Sequence, residues 1–154
     1  MPHRRLAGFR AGLGHPAALL AWGELPRQID GLRIITASSV SEEGGRRAFA
    51  ELWQKPRPTA VLAMADVLAI GLLRAAKEAG VAVPEQLSIV GFDDIPPAAW
   101  TNPALTTVHQ PILELGRAAA RRLIEILRPG WAEPSGPALL PTHLVVREST
   151  APSK

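Results

Sequence analysis

The strongest structural signal in the sequence lies in residues 59–94, which read TAVLAMADVLAIGLLRAAKEAGVAVPEQLSIVGFDD. The segments TAVLAM (59–64) and LSIVGF (87–92) are short, nearly unbroken apolar runs, typical of strands that are covered on both faces of a parallel sheet. Between them, apolar residues recur at helical spacing. We expect Asp66 to cap this helix and Gly80 to end it in a left-handed conformation. Strand, helix and strand together predict a βαβ unit with a right-handed crossover.

The flanking sequence extends the same alternation. A helix is predicted from Arg4 to Leu13, a strand in LRIITAS (32–38), and a helix after Ser41, whose hydroxyl can cap it. LTTV (105–108) predicts a strand, Gln110 and Pro111 open a long helix, and LLPTHLVVREST (139–150) predicts a tail strand. The fold class is therefore α/β, with an open, mostly parallel sheet flanked by helices. Ligands of such sheets bind at the carboxyl ends of the strands.

Composition excludes several classes of protein. The 154 residues are 47% apolar and 20% charged and contain no cysteine, which excludes disulfide scaffolds and thiolate sites. No run approaches the roughly 18 apolar residues of a membrane span, and the N-terminus lacks a clean signal peptide, so we expect a cytoplasmic protein without a membrane partner. The net charge is +3, but the basic residues are scattered, which argues against a nucleic-acid surface within this chain.

Few residues carry recognisable chemistry. Asp93 and Asp94 follow a strand end, where we favour hydrogen bonding to a ligand over a structural turn and give catalysis the least weight, since paired catalytic carboxylates are normally spaced differently. For Asp66 we favour a helix cap over a ligand contact. The four histidines lie on different elements, and neither a phosphate-binding loop nor a serine elbow is present. We therefore expect no metal, no cofactor and no enzyme activity.

Several strings together resemble one family. They are RRLAGFRAGL, the 58–95 segment ending in VGFDDI, NPALTTVHQPILELGRAAARRLIEIL, and LLPTHLVVREST. In order and spacing they are similar to the effector-binding domain of the LacI/GalR transcriptional regulators. The resemblance implies a two-lobed periplasmic-binding-protein architecture, a small-molecule effector that is commonly a sugar, a homodimer, and a DNA-binding helix-turn-helix ahead of the sensor.

The chain differs from this family in length. Members are about twice as long, and we expect the helix-turn-helix and most of the N-terminal lobe to be absent, so that operator DNA would be bound only through the absent part. We divide the sequence into a C-terminal lobe (1–104), a crossing strand and helix that would complete the other lobe (105–128), and a return segment and tail (129–154).

The resemblance also implies roles for individual residues. Arg5 and Asp93 match effector contacts, and we expect them to converge at one cleft edge; a surface role for Arg5 is the alternative. Val40 stands where many relatives stack an aromatic ring, and Ala65 replaces an asparagine, so both weaken the usual sugar pose. The remaining assignments are Gln110 as a further effector contact, Asp66 and Asp94 as structural neighbours of the site, and Trp100 and Asn102 as dimer-interface residues.

The leading interpretation is thus the effector-sensing fragment of a LacI-type DNA-binding repressor. The alternative is a fragment of a periplasmic sugar-binding protein of a transport system, which shares the two-lobed fold. The VREST and LTTV-x-Q-P strings favour the regulator.

Overall fold

The computed structural model describes residues 17–21, 28–29, 32–128 and 139–152, which form one seven-stranded sheet with helices. The strands are β1 (Ala17–Ala21), β2 (Gln28–Ile29), β3 (Leu32–Thr36), β4 (Ala60–Ala63), β5 (Ser88–Asp93), β6 (Thr106–His109) and β7 (His143–Val145). The helices are α1 (Glu42–Leu52), α2 (Asp66–Glu78) and α3 (Ile112–Ile126), with a 3₁₀ helix at Pro96–Trp100. The helix predicted over Arg4 to Leu13 lies outside the described residues.

The sheet has the order β2-β3-β1-β4-β5-β6-β7. The five strands from β3 to β6 in that order are parallel, and the two edge strands β2 and β7 are antiparallel to their neighbours. The prediction of an open, mostly parallel α/β sheet is confirmed. The strand β6, which we grouped with the crossing segment, pairs directly with β5 in this sheet. The division of the chain into lobes stays a prediction.

Two of the three local predictions for the ends of α1 and α2 are confirmed. Ser41 is the N-cap of α1, and its hydroxyl accepts a hydrogen bond from the Gly44 N–H at 3.0 Å. Gly80 follows α2 with a φ of 67°, the left-handed conformation expected at a helix end. The prediction that Asp66 caps α2 is wrong: the N-cap position is Ala65, and no side chain caps the helix there.

The predicted tail strand is also too long. Only His143–Val145 pair with β6, although we expected a strand over residues 139–150. Beyond β7, the backbone bonds irregularly: the Glu148 and Ser149 N–H groups both donate to the Ala104 carbonyl, and the Arg147 N–H donates to the Thr106 hydroxyl. Hydrogen bonds to side chains and shared carbonyls thus replace the ladder that the β-rich sequence suggested.

The core lies between the sheet and the two helices α1 and α2, which pack on each other. Its fully buried side chains include Leu52, Leu68, Leu72, Val61 and Ile89. The helices approach closely because glycines face the contact. A Cβ added at Gly45 would lie 2.1 Å from the Leu68 carbonyl oxygen, and one at Gly71 would lie 2.0 Å from the Glu42 carbonyl oxygen.

Basic residues on α1 are engaged by neighbouring acids. Glu43 accepts from Arg46 at 2.7 Å and from Arg47 at 2.6 Å, and these hydrogen bonds lower the pKa of Glu43 to about 2. Arg74 of α2 reaches Glu42 at 2.6 Å. The Arg46–Arg47 pair is therefore neutralised in part by its own helix. None of the helices in the described part of the chain has the length and apolarity that crossing a bilayer requires.

The glycine contact between α1 and α2 gives a first prediction. We expect Gly71→Ala to lower the free energy of unfolding by about 1–3 kcal/mol, because the new methyl group meets backbone rather than a side chain that can move. Gly116→Ala is the matched control: a Cβ there has nothing within 4 Å, so higher helix propensity should raise stability by about 1 kcal/mol. Urea unfolding followed by circular dichroism measures both, and equal effects of the two variants would contradict the packing argument.

Candidate functional site

The carboxyl edge of the parallel strands carries a cluster of polar side chains. Asp93 ends β5, His109 ends β6, and the two residues are register partners across the strand pair. Asp94 and Gln110 follow them directly. Because the strands are parallel, their carboxyl ends lie at the same edge of the sheet, which is where ligands bind in this class of fold.

Asp93 and Gln110 contact each other. The Gln110 Nε2 donates a hydrogen bond to Asp93 Oδ1 at 2.5 Å, and both residues are half-buried. Two of the residues predicted to touch an effector are thus brought together, although 17 positions separate them. A carboxylate and an amide side by side offer acceptors and donors of the kind that sugar hydroxyls require.

Asp94 faces different partners. Its Oδ1 accepts from Arg147 Nη2 at 2.7 Å, and its Oδ2 lies 2.9 Å from His109 Nδ1. Burial raises the pKa of Asp94, but the hydrogen bonds from Arg147 and then His109 outweigh this, so that the pKa lies below its ordinary value. Asp94 is held by the protein, in keeping with the structural role expected for it beside the site.

The backbone at this corner is unusual. Asp93 has a φ of 117° and Asp94 a φ of 59°, and both lie in the region that favours glycine. Such conformations cost on the order of 1–3 kcal/mol each and persist only where surrounding contacts hold them. They turn the chain sharply after β5, which sends the two carboxylates to different partners.

Asp66 lies beneath this corner and is fully buried. Its Oδ1 accepts from the Thr107 hydroxyl at 2.6 Å, and its Oδ2 accepts from the Ile95 N–H at 2.9 Å. Asp66 therefore joins the start of α2 to β6 and to the segment after β5, which is the physical reason why it does not cap its own helix. A Cβ at Gly91 would lie 2.1 Å from Asp66 Oδ1, so the glycine of VGFDD makes room for this carboxylate.

The other predicted site residues differ in accessibility. Val40 follows β3 and is 47% exposed, whereas Ala65 is only 4% exposed and its methyl group packs in the core, where it offers a ligand almost no surface. Arg5 lies outside the described residues, so its convergence with Asp93 stays a prediction. Among the described residues, no group of three or more His, Asp or Glu side chains is placed to hold a metal ion.

A separate cleft of about 340 Å³ contains the two residues assigned to a dimer interface. Trp100 is 78% exposed and lines the cleft with Asn102 and with three residues of α2: Arg74 and the almost fully buried Ile70 and Leu73. A second exposed apolar surface is α3, which has no buried residue. Its stripe consists of Ile112, Leu115, Leu123 and Ile126, each at least 45% exposed.

Sequence reasoning missed His109, Thr107 and Arg147 as neighbours of the site. The register of β5 against β6 could have indicated His109, since it pairs with Asp93 once the strands are aligned. Nothing local indicated Arg147, which lies 53 positions from Asp94 on an irregular segment.

Comparison with known proteins identifies close relatives. Residues 3–150 match the family model described as periplasmic binding protein-like domain. The HTH-type transcriptional regulator reg1 of Streptomyces lividans is 36% identical over 148 residues, which are 96% of this chain and 41% of the regulator. The HTH-type transcriptional repressor CytR of Escherichia coli K12 is 42% identical over 109 residues, which are 70% of this chain and 32% of the repressor.

A solved structure shows the same architecture. The LacI family transcriptional regulator of Enterococcus faecium, crystallised with bound ribose, superposes with a TM-score of 0.79 at 34% identity, covering 97% of this chain and 62% of the other. The chain thus spans less than half the length of the two curated relatives.

The lowered pKa of Asp94 gives a second prediction, on acid stability. A carboxyl group whose pKa falls on folding contributes stability above its unfolded pKa of about 3.9 and loses that contribution as the pH falls through the folded value. We expect Asp94→Asn to destabilise the protein most at pH 7, with the difference from wild type shrinking below about pH 4. Urea unfolding at a series of pH values measures this.

Glu85→Gln is the control for that series, because it removes an exposed negative charge at the other end of β5. A destabilisation by Asp94→Asn that does not shrink as the pH falls below about 4 would contradict the assignment.

Proposed function

Since the chain belongs to the periplasmic binding protein-like domain family, in the form found in LacI-type regulators, we propose that it is the effector-sensing part of such a transcriptional regulator. The observation that carries the proposal is the Asp93–Gln110 pair at the carboxyl edge of the parallel sheet. This pair presents hydrogen-bonding groups for a polyhydroxylated ligand. The ribose bound by the Enterococcus faecium regulator supports a sugar-like effector for this chain as well.

A transport-associated sugar-binding protein is the second candidate. The regulator is favoured because the curated relatives described above are transcriptional regulators and repressors. Because these relatives are transcriptional regulators, a binding role is also favoured over catalysis. A regulator of this kind acts on DNA, so we place the protein in the cytoplasm.

The segment after β6 is proposed to lead into a second lobe. Helix α3 carries its apolar stripe without any buried residue, and the matched relatives are more than twice as long as this chain. A second lobe would cover the stripe and close the sugar site from the opposite side. In this proposal the crossing begins after His109, residues 1–109 belong to the lobe, and residues 129–154 return to it.

The proposed mechanism is a shift between open and closed arrangements of two lobes. The effector binds more tightly to one arrangement, and the difference in affinity changes the operator affinity of the regulator. We propose that a helix-turn-helix makes the contact with the operator. Within residues 32–128, strand β4 separates α1 from α2, so those two helices do not form that motif, and we propose that DNA contact comes from a part of the regulator other than these described residues.

We expect the chain to bind a sugar at the Asp93 edge. Isothermal titration with ribose, other pentoses, hexoses and disaccharides tests this, and ¹⁵N NMR should locate the shifts at Asp93, Gln110 and their neighbours. Asp93→Asn should weaken binding by about tenfold or more, since a carboxylate accepts stronger hydrogen bonds than an amide. Glu85→Gln, the matched charge control, should bind as wild type does. Failure of every sugar to bind, or equal affinity in Asp93→Asn, would contradict the proposal.

We further propose that the chain forms a homodimer through the cleft that contains Trp100. Exposed apolar patches mark association sites, and large aromatic residues dominate the energetics of such interfaces. Trp100 is the exposed apolar side chain of the cleft; Ile70 and Leu73, which are almost fully buried, also line it, together with the charged residues Arg74 and Lys77. The arrangement fits an interface with an apolar centre and a charged rim.

Sedimentation equilibrium at micromolar concentration tests the dimer. We expect Trp100→Ser to raise the dissociation constant by tenfold or more, a magnitude typical of roughly 1.4 kcal/mol or more lost at an interface anchor. Leu139→Ser, which alters an apolar residue 79% exposed outside the cleft, should leave it unchanged. If Leu123→Ser dissociates the complex and Trp100→Ser does not, association runs through α3 and the proposed interface is wrong.

A further inference from the structure

Two adjacent residues at the proposed effector site are held in a strained backbone conformation. Asp93 and Asp94 both have positive φ values, 117° and 59°, and neither is a glycine. Positive φ values at non-glycine residues persist only where surrounding contacts hold them, and a change of φ at Asp93 would change the direction of its side chain relative to the Gln110 amide. The geometry of the site therefore depends on whatever holds this corner in place.

Asp94 is one of the points at which the corner is held. Its two carboxylate oxygens are bound by two different elements: Oδ2 by His109 at the end of β6, and Oδ1 by Arg147 in the segment after β7. The contact with His109 depends on the tautomer and charge of the imidazole. The Arg147 guanidinium has only donors, arranged in a planar fork, so its hydrogen bond to Asp94 does not depend on a tautomer.

Arg147 is itself fixed on three sides. One terminal nitrogen donates to Asp94 at 2.7 Å and the other to the Leu105 carbonyl at 2.8 Å, while its backbone N–H donates to the Thr106 hydroxyl at 2.9 Å. Both Arg147 and Asp94 are largely shielded from solvent, with side chains 20% and 17% exposed. A planar guanidinium with two fixed acceptors holds its partner in a defined position, unlike an exposed and flexible ion pair.

We propose that Arg147 is a positioning residue for effector binding: through Asp94 it holds the strained Asp93–Asp94 corner, and thereby fixes the direction in which Asp93 presents its carboxylate. This inference rests on the proposed function for the role of Asp93. It adds a residue outside the site, on the C-terminal segment, on which the affinity of the site depends. Gln110 contacts Asp93 directly, whereas Arg147 acts only through Asp94.

The test compares Arg147→Gln and Arg147→Lys with wild type by NMR. In wild type, Asp93 and Asp94 should show the strong intraresidue amide–Hα Overhauser effect of positive φ. Arg147→Gln should lose this signal at both residues while the amide shifts of Leu68 and Leu72 in the core stay unchanged. Arg147→Lys retains the charge without the second hydrogen bond, and it should restore the signal in part. Arg57→Gln, which removes an exposed guanidinium elsewhere, is the matched control and should change nothing at the corner.

Sugar titration of the same variants provides the second readout. With whichever sugar of the panel binds wild type, Arg147→Gln should lower the affinity by about tenfold, Arg147→Lys by less, and Arg57→Gln not at all. An unchanged corner in Arg147→Gln, or a changed corner with unchanged affinity, overturns the proposal. If no sugar binds wild type, the proposed function fails, and the NMR comparison alone decides whether Arg147 holds the corner.

Discussion

The buried carboxylate of Asp66 is the contact on which the arrangement of the sheet edge depends. It accepts one hydrogen bond from β6 and one from the segment after β5, while it occupies the first position of α2. A buried carboxylate is costly unless it is hydrogen-bonded, and the positive end of the helix dipole at α2 lowers that cost further. Gly91 is required at the facing position of β5, because any side chain there would collide with the carboxylate. One interaction thus fixes the relative placement of a helix, two strands and the loop between them.

At the opposite end of β5 and β6, the Ser149 hydroxyl joins these strands to the C-terminal segment. Ser149 donates its hydroxyl hydrogen to the Ile89 carbonyl at 2.6 Å and accepts from the Thr106 N–H at 2.8 Å, so the C-terminal segment joins the starts of β5 and β6. This segment and β7 together cover an edge of β6 that would otherwise expose unpaired backbone groups. The tail is consequently part of the sheet's structure although little of it is strand. Its position also brings Arg147 within reach of Asp94.

The sequence predicts those parts of the structure that local patterns determine. The two strands and the helix of the βαβ unit over residues 59–94, the Ser41 cap and the left-handed Gly80 are each indicated by local patterns, and all of these are found. Asp66 was misread because its position before an apolar helix is also that of a cap, and its partners lie 29 and 41 positions away. The pairing of Arg147 with Asp94 and the early end of β7 were not predicted for the same reason, because they depend on contacts between distant segments. Hydrogen bonds between distant segments leave no periodic trace in a single sequence.

The Asp93–Asp94 corner and the cleft around Trp100 are both connected to helix α2 and to the 3₁₀ helix. Helix α2 carries Asp66 at its buried start and presents Ile70 and Leu73 to the cleft one and two turns later. The 3₁₀ helix begins directly after Ile95, whose N–H is bound to Asp66, and it ends at Trp100 in the cleft. Ile95 directly follows the Asp93–Asp94 corner, and the hydrogen bond from its N–H to Asp66 joins that segment to α2. The proposed effector site and the cleft around Trp100 are thus joined by a continuous set of contacts through Ile95, Asp66 and α2.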